Sequence, residues 1–282
     1  MLKYRLISFP LLLLLAFAVV FWQPYGTWIF AVLALPVALA AVWESCALAE
    51  KLNLPVNWLL AMLFAIYCTG VYGILQFPFN GVRGVGIVLT ALLVLLMLKT
   101  LFTAEDKRSK AVIAAFVTPG VLLIALLPVI TLIRIYLNYG ALIFLSLVLA
   151  TKASDTGGYI VGMLSNKLMK NGNHKIVPSI SPKKSWEGTV GAAIFSIGTA
   201  ALLTHLNCIK LDWVQIFIFG FLAFLGSFAG DLTESQLKRS AGIKDSANWI
   251  PGMGGILDVL DSFIYNAPVF YLVLELGVIS CQ

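Results

Sequence analysis

The chain has 282 residues, is 60% hydrophobic and only 11% charged, and carries a net charge of +6, with a mean hydropathy of +0.96. That much apolar surface exceeds what a soluble core of this length can bury, and it places the chain among polytopic membrane proteins. Nothing in it resembles a nucleic-acid-binding module, and Cys46, Cys68, Cys208 and Cys281 stand apart with no pair at metal-ligand spacing.

A bilayer core of about 30 Å is crossed by roughly 17 to 25 apolar residues in a helix. Nine runs meet this: 6–22, 26–43, 57–76, 84–101, 111–129, 137–154, 189–206, 213–230 and 260–278. The expected fold class is therefore all-α, a polytopic membrane protein with about nine transmembrane helices. The first run follows Lys3 and Arg5, as a secretory leader would, but it continues past Ala16-Phe17-Ala18 to Trp22 and reads as a span. With nine spans, sixteen of the nineteen lysines and arginines fall on the side of the N-terminus, leaving Arg83, Arg134 and Lys210 opposite. The positive-inside rule then puts the N-terminus in the cytoplasm and the C-terminus outside. Topology accounts for most of the net charge, and the basic face would sit beside anionic lipid.

Residues 1–136 hold the first five spans and are chemically quiet. Trp22, Tyr25, Trp28, Trp43 and Trp58 lie near span ends, where amphipathic rings prefer the interface. Pro36 and Pro128 read as kinks, and the glycines between 70 and 86 as a turn and close helix packing.

The character changes in 137–282. The sixth run leads into Lys152-Ala-Ser-Asp155, and Asp155 is too short to snorkel, so it needs a partner or an aqueous cavity. Residues 155–188 form the longest non-apolar segment, too polar to span. Its end, Ser181-Pro-Lys183-Lys184-Ser185-Trp-Glu187-Gly188, reads as a helix entrance capped by Ser185, with two lysines suited to a phosphate. His174 reads as a solvated residue, and two isolated histidines build no nucleophilic constellation. Asp231 ends the eighth run. Asp258 and Asp261, three apart, would share one helix face and converge with Asp231 on a hard cation.

The densest cluster of charge is Ser235 to Ser262, SQLKRSAGIKDSANWIPGMGGILDVLDS. Ser235, Lys238, Arg239, Lys244, Asp245, Pro251, Gly252, Gly254, Gly255, Asp258 and Asp261 match, in order and spacing, the signature of the phosphatidate cytidylyltransferases, which this stretch resembles. Lys152-x-x-Asp155-Thr156-Gly157-x-Tyr159, the Ser181 to Gly188 segment and Gly230-Asp231-Leu232 are similar to further motifs of that family, over about 150–270. Two positions depart: Met253 stands where His is usual and Val259 where Arg is usual. The resemblance implies a magnesium-dependent membrane enzyme, with a two-metal site, that joins CTP to phosphatidate and gives CDP-diacylglycerol and pyrophosphate. It implies metal ligands at Asp231, Asp258 and Asp261, with Asp155 and Asp245 around them. Lys184, Lys238, Arg239 and Lys244 would hold triphosphate and phosphatidate oxygens, and Ser181, Lys183, Ser235, Gly254 and Gly255 would line the nucleotide. Its partners would be CTP, phosphatidate, surrounding lipid and a second copy in a homodimer, in the inner membrane if the cell is bacterial. The rival readings are a CTP-dependent kinase of a lipid alcohol and a divergent non-catalytic membrane paralogue.

Overall fold

The computed structural model describes residues 18–22, 25–74, 94–100, 103, 105–170, 172–250 and 254–279. Among these the regular structure is helical, apart from isolated bridges pairing Lys175 with Ser185 and Ile250 with Gly254. Helix α1 is Tyr25–Lys51, with Pro36 inside it. Helix α2, Trp58–Ile66, opens at Asn57, whose side chain accepts from the Leu60 N–H, and continues as a wider π-type helix over Tyr67–Ile74. Helix α3, Glu105–Tyr139, contains Pro119 and Pro128. Then come α4 Ala141–Leu168, α5 Trp186–His205, α6 Trp213–Ser240, α7 Ile256–Leu260 and α8 Phe263–Glu275.

Four helices among the described residues are long and apolar enough to cross a membrane: Tyr25–Lys51, Lys107–Tyr139, Trp186–His205 and Trp213–Ser240. Trp58–Gly70 and Phe263–Glu275 are shorter apolar helices. Most of the expected first and fourth spans lies outside the described residues. Two expectations are corrected. Residues 155–168, read as the start of a polar loop, are helical and continue α4. The ninth run is divided, because α7 ends at Leu260 and α8 starts at Phe263, so Asp258 and Asp261 do not ride on one helix.

The chain forms two compact units. The first comprises Met1–Ile133 and Leu237–Val259, and the second Arg134–Gln236 and Leu260–Gln282. Most of the signature segment thus belongs to the same unit as the N-terminal helices. In that unit the Trp43 and Trp58 rings meet edge to face at 4.8 Å. The Asn57 N–H donates to Thr118 Oγ1 at 3.1 Å, fixing the start of α2 against α3.

In the second unit α4 and α5 close on each other through glycines. A methyl group at Gly188 would lie 2.8 Å from the Gly158 carbonyl oxygen, and one at Gly157 would lie 2.9 Å from the Gly191 carbonyl and strike the Phe195 side chain. Where lipid gives no hydrophobic drive for helix pairing, small residues that let backbones approach supply the packing. This explains why the 155–168 stretch looks polar yet is helical: its buried stripe is glycine, which carries no apolar signal. Polar ties complete the unit. Asn266 on α8 donates to Thr151 Oγ1 on α4 at 2.5 Å and to the Ala223 carbonyl on α6 at 3.2 Å. Gly226 lets α6 and α8 touch, since a Cβ there would be 2.7 Å from the Asn266 Cα. Gly226→Ala is expected to destabilise the protein by about 1–3 kcal/mol through overpacking, seen as a lower thermal midpoint in detergent.

Candidate functional site

The second unit assembles one set of charges from helices α4 and α6 and the turns before α5 and α8. Ser185 caps α5 as its sequence position predicts, accepting from the Gly188 N–H at 3.1 Å. The preceding turn is held by the Ser181 N–H donating to the Val177 carbonyl and the Lys184 N–H donating to the Ser181 carbonyl. It leaves Lys183 exposed and Lys184 half-buried. The Lys184 ammonium lies 2.9 Å from Asp231 Oδ2, donates to the Phe228 carbonyl at 3.3 Å, and sits 4.4 Å from the centre of the Phe228 ring. Asp231 accepts a further bond, from Ser235 Oγ at 3.2 Å. Glu187 is taken by His174, whose backbone N–H and ring both reach its carboxylate, so this pair closes the 174–187 loop.

Asp155 has the partners that its position in the sequence demanded. Ser227 donates to its Oδ1 at 2.5 Å, Ser262 to its Oδ2 at 3.0 Å, and Lys152 lies 3.4 Å from Oδ2. The Ser262 hydroxyl also lies 2.9 Å from Asp261 Oδ1. It has one proton for two carboxylates, so it links Asp155 to Asp261. Asp261 stands ahead of the apolar helix α8, and burial pushes its carboxyl up to about 6; Lys152 opposes this, the neighbouring Asp231 and Asp155 add to it, and the Ser262 hydrogen bond opposes it. Asp261 therefore feels the charges of both Asp231 and Asp155.

In the first unit the signature builds a second set. Lys238, in the last turn of α6, lies 2.5 Å from Asp258 Oδ1, and both side chains are nearly buried, at 11% and 8% exposed. Asp258 Oδ2 accepts from the Ser246 N–H at 2.9 Å, the Ser246 hydroxyl at 2.7 Å and the Gly255 N–H at 2.7 Å. Burial alone would raise the Asp258 carboxyl, but Lys238, the Gly255 N–H and Ser246 outweigh it and hold the group below the ordinary carboxylate range. Arg239 donates to the Ile243 carbonyl at 3.2 Å, while Lys244 and Asp245 are exposed. Gly254 has φ +99°, and a Cβ there would strike Asp258. A Cβ at Gly255 would strike Glu44 and Ser246. The two glycines, expected to line a nucleotide, here make room for carboxylates of the protein itself. Met253 lies outside the described residues, and Val259 is half-buried.

Whether these residues suit a divalent cation is decided by donor chemistry. Asp155, Asp231 and Asp261 offer hard carboxylate oxygens, and a cation would relieve the repulsion from Asp231 and Asp155 that adds to the effect of burial on Asp261, so the second unit fits magnesium in kind. Among the described residues, no three His, Cys, Asp or Glu side chains are drawn into a ready coordination sphere. Asp258, expected as a ligand, lies in the first unit and has both oxygens engaged by Lys238, Ser246 and Gly255, as Asp155 has its own engaged by Ser227 and Ser262 and Asp231 by Ser235 and Lys184.

Glu44, Ser246, Ser227 and Ser262 were not anticipated as members of either set. Glu44 had a signal, an acid at the edge of an apolar run, but the second span was drawn to end at 43. The serines give no signal without their partners.

The family model described as the cytidylyltransferase family matches residues 3–277, and the chain belongs to that family. Among curated proteins it is 43% identical over 131 residues to a phosphatidate cytidylyltransferase of Mycobacterium bovis, covering 46% of this chain and 40% of the relative. It is 43% identical over 123 residues to phosphatidate cytidylyltransferase 4, chloroplastic, of Arabidopsis thaliana, covering 42% and 29%. To a phosphatidate cytidylyltransferase of Haemophilus influenzae it is 35% identical over 136 residues, covering 47% and 45%. The matched part thus spans less than half the length of these relatives.

Proposed function

We propose that the protein transfers CMP from CTP to phosphatidate in the membrane. A phosphate oxygen of phosphatidate attacks the α-phosphorus of CTP, the bond to the β-phosphate bridging oxygen breaks, and pyrophosphate leaves with that electron pair. The observation that carries this reading is the pairing of Lys184 with Asp231 and of Lys238 with Asp258, the latter carboxylate also accepting backbone N–H groups, in a chain among whose described residues no serine, cysteine or histidine is activated. An anionic lipid phosphate needs no such activation. The work is to bring polyanions together and to stabilise charge on the departing pyrophosphate. The names of the relatives support the same substrates.

In this reading Asp231 and Asp261, with Asp155 beside them, hold magnesium, which when bound supplies charge neutralisation to the triphosphate. Lys184 contacts triphosphate oxygens, and Lys238, Arg239 and Lys244 serve the phosphates from the signature segment. Nine spans, a cytoplasmic N-terminus and a cytoplasmic active face remain part of the proposal, supported by the distribution of lysine and arginine in the sequence.

Detergent-solubilised protein given CTP, magnesium and phosphatidate should release pyrophosphate and form a CDP-lipid; CDP release with a lipid alcohol would replace this reading with a kinase. Lys184→Ala should lower kcat/KM for CTP by roughly 10²-fold, while leaving the Ser185 cap and the fold intact by circular dichroism.

A further inference from the structure

Glu44 lies within α1, whose other charged residues, Glu50 and Lys51, come only at its end, and is only 2% exposed. A carboxyl group in such surroundings is held only by donors, and Glu44 has three. Its Oε1 accepts from the Ile256 N–H at 2.8 Å, and its Oε2 accepts from the Leu257 N–H at 2.8 Å and the Ser246 hydroxyl at 2.6 Å. The two N–H groups open α7 and have no acceptor within that helix. Glu44 therefore caps α7 from 212 positions away in sequence.

The connection reaches the signature charges. Ser246 stands with its hydroxyl 2.6 Å from Glu44 and 2.7 Å from Asp258, and has one proton to give. Its N–H and that of Gly255 both donate to Asp258, which faces Lys238. Gly255 must lack a side chain because Glu44 and Ser246 occupy the space a Cβ would take. Thus Glu44 holds both ends of the segment that supplies the donors of Asp258: Ser246 at one end, the start of α7 at the other.

We infer that Glu44 is a positioning residue for the signature loop, fixing Ser246 and α7 so that Asp258 is presented to Lys238. This rests on the proposed cytidylyl transfer for its catalytic consequence; the capping itself does not. Glu44 touches no reacting atom in this account and acts only through the loop.

The test compares Glu44→Gln, Glu44→Asp and Ser246→Ala in two assays, pyrophosphate release at saturating CTP and phosphatidate, and amide hydrogen exchange. Glu44→Gln should lose kcat by about 10- to 100-fold, as outer-shell changes do, with KM for CTP little changed. Gln keeps the volume of Glu but turns one acceptor into a donor facing N–H groups, whereas Asp keeps the carboxylate. An acceptor role therefore ranks Asp above Gln in kcat, and a space-filling role reverses the order. Ser246→Ala removes only the hydroxyl link and should lower kcat at an unchanged thermal midpoint; it carries the test if the Gln variant does not fold. Wild-type kcat in Ser246→Ala, or Gln outperforming Asp, overturns the inference. Exchange at Ile256 and Leu257 should quicken in Glu44→Gln, and unchanged protection there overturns the capping. Wild-type protein that releases no pyrophosphate with any acceptor sinks the functional reading alone, and the exchange result then decides the capping.

Discussion

Asp258→Asn is expected to abolish measurable CMP transfer and to cost the fold about 3–5 kcal/mol. The physical reason is burial. With side chains 11% and 8% exposed, Lys238 and Asp258 have little water to fall back on, and removing either takes away a counter-charge that lies 2.5 Å from the other. Asparagine would also return one N–H2 group toward Lys238 or toward the Ser246 and Gly255 N–H groups, where the carboxylate only accepts. Lys238→Ala should destabilise to a similar degree. The double variant Lys238→Met with Asp258→Asn should recover much of the lost stability but none of the activity, because removing both charges removes the desolvation cost while taking both Lys238 and Asp258 out of the signature segment's charge set. Thermal midpoints in detergent and pyrophosphate release read the two effects separately. A wild-type midpoint in Asp258→Asn would show that the pair is not buried in the folded protein.

Magnesium should stabilise the protein, and more so at neutral than at acid pH. Asp261 is pushed up to about 6, with burial the first cause, from an ordinary value of 3.8. Between those values the folded protein keeps a proton that the unfolded chain has released. Stability in EDTA should therefore fall as pH rises through this window and level off above about pH 6. A cation held by Asp231 and Asp261 competes with that proton. Its stabilising effect should be small at pH 4.5 and full by pH 7 to 8, and should offset the loss seen in EDTA. Asp261→Asn should flatten both curves. Melts across pH with and without magnesium check this, and a magnesium effect that ignores pH would remove Asp261 from the proposed ligands.

Much of both sets could be read from the chain, because their members lie in short local patterns. Ser185 announces the start of α5, and the Lys238 to Asp258 spacing announces a charged cluster. What escaped had causes in distance and composition. Glu44 acts on residues more than 200 positions away, and no local pattern encodes such a partner. The helix through 155–168 escaped because its packed stripe is Gly157, Gly158 and Gly162, residues that read as loop when counted by hydropathy. The break between α7 and α8 escaped because 260–278 looks continuous in apolar content, although Asp261 and Ser262 interrupt it.

The glycine seam between α4 and α5 also bears on how such a protein can diverge. A seam made of side chains can drift, one partner shrinking as the other grows. A seam in which a backbone carbonyl meets the absence of a side chain has nothing to trade, since nothing smaller than glycine exists to compensate a neighbour that has grown. Change is instead free on the outer faces of the same helices, where Tyr159, Met163 and Leu164 are exposed. Descendants of this chain should therefore vary around the rim of α4 while its inner stripe stays fixed, and Lys184, carried into place by the turn that enters α5, inherits that immobility.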